Sequence, residues 1–170
     1  MSTRIAHVAP VIVCRVDRCL SCRSCELACA LAHSQSGELV AALQEVPIPL
    51  KRIRVLSLGS QGPLTRHRTI ALQCRHCAEP LCVEVCIAGG VTKDEASGLV
   101  RFDEERCVGC WSCTMVCPFG AIIRARDRLL AMHCDRCEGR EVFACVAACP
   151  TKALVLCDAD EVEEGVQCDT

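Results

Sequence analysis

Tyrosine is absent, and three phenylalanines and one tryptophan are the only aromatic residues in a chain of 170. So few large side chains make a thin apolar core, and bonds of another kind have to carry much of the stability. No apolar run approaches the ~20 residues that span a bilayer, which argues against direct membrane insertion. The opening residues, M-S-T-R-I-A-H-V-A-P, lack the apolar stretch, cleavage site or twin arginine of a leader, so the expected location is cytoplasmic. Lysine is scarce, with three against sixteen arginines, and the formal net charge is −2. Because the basic residues are also dispersed, no nucleic-acid surface is expected. There is no nucleotide-binding glycine loop, no nucleophile with a base, and no C-x3-C-x2-C radical-type run. A catalytic site is therefore not expected in this chain.

What the chain has is cysteine: nineteen of them, over a tenth of the residues. At that density cysteine means either a secreted disulfide scaffold or metal ligation, and a reducing compartment selects metal. The stretch Cys107 to Pro118 reads C-V-G-C-W-S-C-T-M-V-C-P. Three thiols at two-residue gaps, then a fourth three residues on and followed by proline, form the ligand run of a bacterial-ferredoxin-type 4Fe–4S site. Related runs occur at Cys19, Cys22, Cys25, Cys29; at Cys74, Cys77, Cys82, Cys86; and at Cys134, Cys137, Cys145, Cys149. V-D-R-C-L-S-C-R-S-C-E-L-A-C in the first unit parallels E-E-R-C-V-G-C-W-S-C-T-M-V-C in the third. P-F-G-A-I-I after the third run likewise parallels P-T-K-A-L-V-L after the fourth. The chain reads as a duplicated small ferredoxin-like half. Zinc prefers two separated pairs of ligands, and a zinc-stabilised interaction module fits the three-cysteine runs less well than cubanes do.

In order along the chain, residues 11–16 have the β-branched content of a strand, and a short helix is expected through Cys25 and Cys29 to His33. Gly37 to Val46 reads as a helical turn or two stopped by P-I-P at Pro47 to Pro49. Lys51 to Leu58 and Arg66 to Gln73 read as two strands joined by G-S-Q-G-P. That insertion is either a docking surface or a lid over a cluster. Gly98 to Phe102 reads as a strand after a turn at Gly89 and Gly90, and the residues from Asp158 form an acidic, solvated tail. Arg18, Arg23, Arg75, Arg106 and Arg136 lie in or beside the runs, where guanidinium donors would offset cluster charge. His76 and His133 abut ligands and are candidate N–H donors to sulfur. Trp111 reads as a shield against water. Cys14 and Cys157 read as small buried apolar residues, and Cys168 as an exposed one.

In two-cluster ferredoxins the fourth cysteine of each run ligates the other cluster. Gap lengths favour exchange between the second and third runs and between the first and fourth, one module nested in the other. Spacing alone leaves sequential exchange open. The nested sets are Cys74, Cys77, Cys82 with Cys117; Cys107, Cys110, Cys113 with Cys86; Cys19, Cys22, Cys25 with Cys149; and Cys134, Cys137, Cys145 with Cys29.

These runs, with Q-C-R-H-C at Gln73 to Cys77 and A-C-V-A-A-C-P-T-K-A-L at Ala144 to Leu154, resemble the four-cluster iron–sulfur subunits of the dimethyl sulfoxide reductase beta-subunit type. The resemblance covers roughly residues 11–157. It is to the compact members serving formate dehydrogenase, hydrogenase, carbon monoxide dehydrogenase or tungsten aldehyde oxidoreductase. It implies the nested pairing and an α+β fold: two nested bacterial-ferredoxin-like modules of short strands and helices around four 4Fe–4S clusters. The expected divisions are an outer module of residues 1–33 with 127–157, an insertion with a hairpin at 34–69, an inner module at 70–126, and a tail at 158–170. The implied role is a non-catalytic electron-transfer subunit beside a large catalytic oxidoreductase chain, with a second carrier of flavin or ferredoxin type. The C-x2-C-W-x-C form of the third run looks most like subunits serving carbon monoxide dehydrogenases and tungsten- or molybdenum-pterin enzymes. A free polyferredoxin shuttle is the alternative. Departures from the pattern are the missing prolines after Cys29 and Cys86 and a lysine, not glycine, at Lys152.

Overall fold

The computed structural model describes residues 10–59, 68–125 and 127–157. The acidic tail, Cys168, most of the G-S-Q-G-P turn and the first two residues of the strand expected from Arg66 lie outside them. Eight short strands and five helices make up the described chain. In order they are β1 (Val11–Cys14), α1 (Ser24–Ala32), α2 (Leu39–Ala42), β2 (Arg54–Ser57), β3 (Thr69–Leu72), α3 (Leu81–Glu84) and β4 (Val91–Lys93). There follow β5 (Val100–Phe102), α4 (Ser112–Val116), β6 (Ile123–Ala125), β7 (Leu130–Met132), α5 (Ala144–Ala147) and β8 (Leu154–Cys157).

Local sequence explains the lengths. Pro118 and Pro150 disfavour helical backbone at the residue before them, so α4 stops at Val116 and α5 at Ala147. No such breaker follows Cys29, and α1, nine residues in all, runs on past it to Ala32. Gly89 and Gly90 end the turn after α3, and β4, absent from the sequence reading, is the V-T-K that follows.

The strands pair as four antiparallel ribbons, β1 with β8, β2 with β3, β4 with β5 and β6 with β7. The first pairing places Val11 opposite Cys157 and so closes the two ends of the described chain on each other. Helix α1 packs on α5, and α3 on α4.

The core is built largely from sulfur. One buried group joins Ile12, Ile53, Val55, Ala71 and Leu154 to Cys25, Cys29 and Cys145. A second, smaller group joins Ile122 and Ala131 to Cys113, with Cys82, Cys107, Cys117, Phe102 and Trp111 packed around it. The β2–β3 hairpin caps the first group. It is tied to α1 by Glu26, a buried carboxylate that accepts from the Val55 N–H at 2.7 Å and from Lys51 Nζ at 2.5 Å. Burial alone would raise the Glu26 pKa. The Lys51 and Val55 hydrogen bonds and the nearby Arg23 and Lys51 charges outweigh that and hold it below the usual carboxylate range. The hairpin thus packs over Cys25 and Cys29.

Candidate metal centres

The opening C-x2-C loop of each run turns in the same way. The residue just before the second cysteine has positive φ in all four: Ser21 at 59°, His76 at 51°, Gly109 at 65° and Arg136 at 55°. This left-handed step reverses the loop tightly, and in three loops a residue other than glycine accepts its strain. Gly109 has no alternative, because a Cβ there would lie 2.3 Å from the Leu129 carbonyl oxygen. A second left-handed residue follows the last cysteine of three runs by three places: Gly89, Gly120 and Lys152, at 62°, 57° and 50°. Lys152 therefore takes the glycine conformation without being glycine.

The thiols gather in groups. Cys74, Cys77, Cys82 and Cys117 line one cavity of about 60 Å³. Burial pushes the Cys74 thiol up to about 12, and repulsion from Cys82, Cys77 and Cys117 adds to the rise. Cys86, Cys107, Cys110 and Cys113 line another cavity with Trp111 and Phe102, and burial followed by repulsion from Cys107, Cys110, Cys82 and Cys86 raises Cys113 to about 11. Cys145 is raised to about 12, first by burial and then by Cys29, Cys137 and Cys25, while the buried Cys134 is raised by burial and then by Cys145 and Cys29. Cys25 is raised to about 11 by burial, with Cys149 and Cys22 contributing, and Cys14 stands beside both Cys19 and Cys149. Among the described residues every cysteine except Cys157 is a free thiol. Cys157 is disulfide-bonded, a state that its reading as a small apolar strand residue did not include.

Backbone N–H groups already point at several of these sulfurs. Ala121 donates to Cys117 at 3.4 Å and Ala153 to Cys149 at 3.2 Å, both from the turn after the run. Within the loops, His76 N–H reaches Cys74 and Arg136 N–H reaches Cys134, each at 3.4 Å. Cys29 has no such turn, and its donor is Arg52 N–H at 3.1 Å, from the hairpin. Burial and crowding hold these thiols protonated on their own; the positive charge of bound iron would offset the cost of burying the thiolates, and the N–H donors would stabilise them further. Such donors also tune a bound cluster.

Exposure differs sharply between the thiols. Cys22 and Cys110 are exposed, whereas Cys25, Cys29, Cys113, Cys134, Cys137 and Cys145 are buried. Of the five arginines near the runs, Arg18, Arg23, Arg75 and Arg106 are exposed and Arg136 is buried. Trp111 packs against the second core group, and the Arg124 guanidinium lies 5.5 Å from its ring centroid. His33 bridges the first and fourth runs: Nδ1 donates to the Cys29 carbonyl at 2.6 Å, and Nε2 lies 3.1 Å from Asp135. Asp135 in turn accepts from the Arg52 guanidinium at 2.5 Å. The left-handed loop residues and this network are the parts of the site that sequence reasoning missed. Of these, the glycine at Gly109 was the one visible signal.

Residues 65–159 match the family described as the 4Fe-4S dicluster domain. The chain belongs to that family. Its cofactors are accordingly 4Fe–4S clusters, more than one of them. An iron-sulfur protein of Rhodospirillum rubrum is 38% identical over 167 residues, covering 88% of this chain and 83% of its own length. Electron transport protein HydN of Escherichia coli (strain K12) is 33% identical over 170 residues, with 90% of each chain covered. The NADH-dependent phenylglyoxylate dehydrogenase subunit beta of Aromatoleum evansii is 35% identical over 81% of this chain but only 28% of that longer protein. No helix among the described residues is long and apolar enough to cross a membrane.

Proposed function

We propose that this chain is a non-catalytic electron-transfer subunit with four 4Fe–4S clusters, of the dimethyl sulfoxide reductase beta-subunit type. The ligand sets are Cys19, Cys22, Cys25 with Cys149; Cys134, Cys137, Cys145 with Cys29; Cys74, Cys77, Cys82 with Cys117; and Cys107, Cys110, Cys113 with Cys86. The observation that carries this reading is the gathering of the fourth thiol of one run with three thiols of another, most directly Cys117 in one cavity with Cys74, Cys77 and Cys82. The pairing of β1 with β8 and of α3 with α4 supports two nested ferredoxin-like modules, residues 1–33 with 127–157 around 70–126, with 34–69 as insertion and 158–170 as tail.

The clusters supply one-electron carriers. The chain's own part is to hold the four sites in a line and to expose its ends. Cys145 neighbours Cys25, Arg136 faces both Cys134 and Cys74, and Cys113 neighbours Cys82. These contacts support an order of the sites from the Cys22 end to the Cys110 end. Both end thiols are exposed, and each has an exposed apolar residue at the same loop position, Leu20 and Val108. Those two ends are the docking points for a large catalytic oxidoreductase chain, of molybdenum- or tungsten-pterin or carbon monoxide dehydrogenase type, and for a second flavin or ferredoxin-type carrier in the cytoplasm. The Aromatoleum relative, named as a dehydrogenase subunit, agrees with a partnered role.

Cys117→Ala is the decisive variant. It is expected to lose the cluster of Cys74, Cys77 and Cys82 and to keep that of Cys107, Cys110 and Cys113, read by iron content and electron spin resonance of anaerobic material. Loss of the second cluster alone would overturn the exchange. Elution without a large partner on purification from the native host would favour a free shuttle.

A further inference from the structure

Three buried polar side chains stand between the Cys74 group and the Cys134 group: His76, His133 and Arg136, with exposures of 2%, 4% and 7%. The two imidazoles meet edge to face with centroids 5.5 Å apart, and Phe102 closes the far side of His133 at 5.0 Å. A ring nitrogen of each histidine and the Cys74 sulfur all lie within 4.8 Å of one another.

Hydrogen bonding fixes which nitrogen carries the proton in each ring. The Val100 N–H donates to His76 Nδ1 at 3.0 Å, so Nδ1 is bare and the ring proton sits on Nε2. His133 is the reverse. Its Nδ1 lies 2.5 Å from the Cys134 carbonyl, which can only accept, so Nδ1 carries the proton and Nε2 is bare. His76 Nε2–H is therefore a buried donor, and among the described residues no acceptor meets it. A donor so placed is destabilising until something accepts from it. The position of its loop holds it there: His76 is the left-handed residue between Cys74 and Cys77.

We propose that His76 is a positioning residue that sets the potential of the cluster held by Cys74, its Nε2–H donating to sulfur at that site. The inference deepens the four-cluster reading and rests on it. A donor to sulfur favours the more negative, reduced form and so raises the potential of that one site. It lies where the inner and outer halves meet, so it biases the step between them. His133 does not share the role, because its only N–H is committed to a carbonyl.

The test uses the full chain, iron-loaded anaerobically and reconstituted in D2O. His76→Phe keeps an aromatic ring and removes the donor. It is expected to leave iron content unchanged and to lower one midpoint by about the equivalent of a tenfold loss of reduced form, ~59 mV for one electron. The other midpoints stay fixed, and an exchangeable deuteron coupled to that cluster in pulsed spin resonance disappears. His76→Gln, which keeps an N–H there, is expected to restore both midpoint and deuteron, and it decides the matter if His76→Phe holds less iron. Unchanged midpoints in iron-replete His76→Phe would overturn the proposal, as would a retained deuteron or a His76→Gln midpoint as low as that of His76→Phe. Loss of the deuteron in His133→Phe would overturn it too, by showing that His76 donates to His133. Wild-type iron short of four clusters would instead count against the reading beneath it.

Discussion

The last cysteines of the first and third runs solve one problem in two ways. Cys117 is followed by Pro118, its helix ends, and the turn returns the Ala121 N–H to its sulfur. Cys29 has no proline after it, α1 continues, and a segment 23 residues away supplies the N–H from Arg52 instead. The insertion thus replaces the turn that the first unit lacks. The cover it adds is the larger difference: Ile53 and Val55 are buried in one group with Cys25 and Cys29, and Cys29 is buried where the matching Cys117 is only half-buried, although Cys22 and Cys110 are exposed alike. Identical ligand spacing therefore does not give identical environments, because solvent exclusion comes from segments that the spacing does not contain.

Removing iron gives the largest effect and tests the difference in cover. Chelation under reducing conditions is expected to unfold both halves, since so much of each core is thiol. Hydrogen exchange should be lost first around Cys107 to Ile122, where the buried group is smaller, and last in the β2–β3 hairpin. Simultaneous loss would mean that the hairpin adds no protection of its own.

Glu26→Ala attacks the hairpin tether. It leaves the Val55 N–H and Lys51 without their buried partner and is expected to cost about 3 kcal/mol. The loss should fall on residues 51–57 and on the cluster that includes Cys29, with Cys107 to Cys117 untouched. Denaturant unfolding and peptide-resolved exchange read it out. An evenly spread effect would break the comparison.

Gly109 and Ser21 occupy matching loop positions, yet they should respond differently. Gly109→Ala drives a Cβ into the Leu129 carbonyl and is expected to cost about 2 kcal/mol. Ser21→Ala, at an exposed site already holding a Cβ with positive φ, should change stability by no more than about 0.5 kcal/mol. Equal responses would show that the loop adjusts freely.

Smallest is Lys152→Gly, which relieves a left-handed residue other than glycine. The gain, about 1 kcal/mol at most, is offset in part by the freer unfolded chain. Melting temperature measures it, and a fall would mean that the lysine side chain contributes more than its strain removes.

The elements themselves were legible where local chemistry decides them. Val11 to Cys14, Arg54 to Ser57, Thr69 to Leu72 and Val100 to Phe102 fall within expected strands, and α1 follows the unbroken stretch after Cys25. The strand at Val91–Lys93 was missed, because three residues give too little alternation to read. The left-handed steps at His76 and Arg136 were invisible too, since nothing in either residue type announces positive φ.

Sequence by itself determined that this chain holds iron–sulfur clusters, because ligand spacing within a loop is a property of a few consecutive residues and their stereochemistry. Only the tertiary structure decided which thiols stand near which across the runs, that the hairpin covers Cys25 and Cys29, and which of two neighbouring histidines keeps its N–H free. Those are matters of long-range packing and of which buried group finds a partner, and no local pattern of residues encodes them.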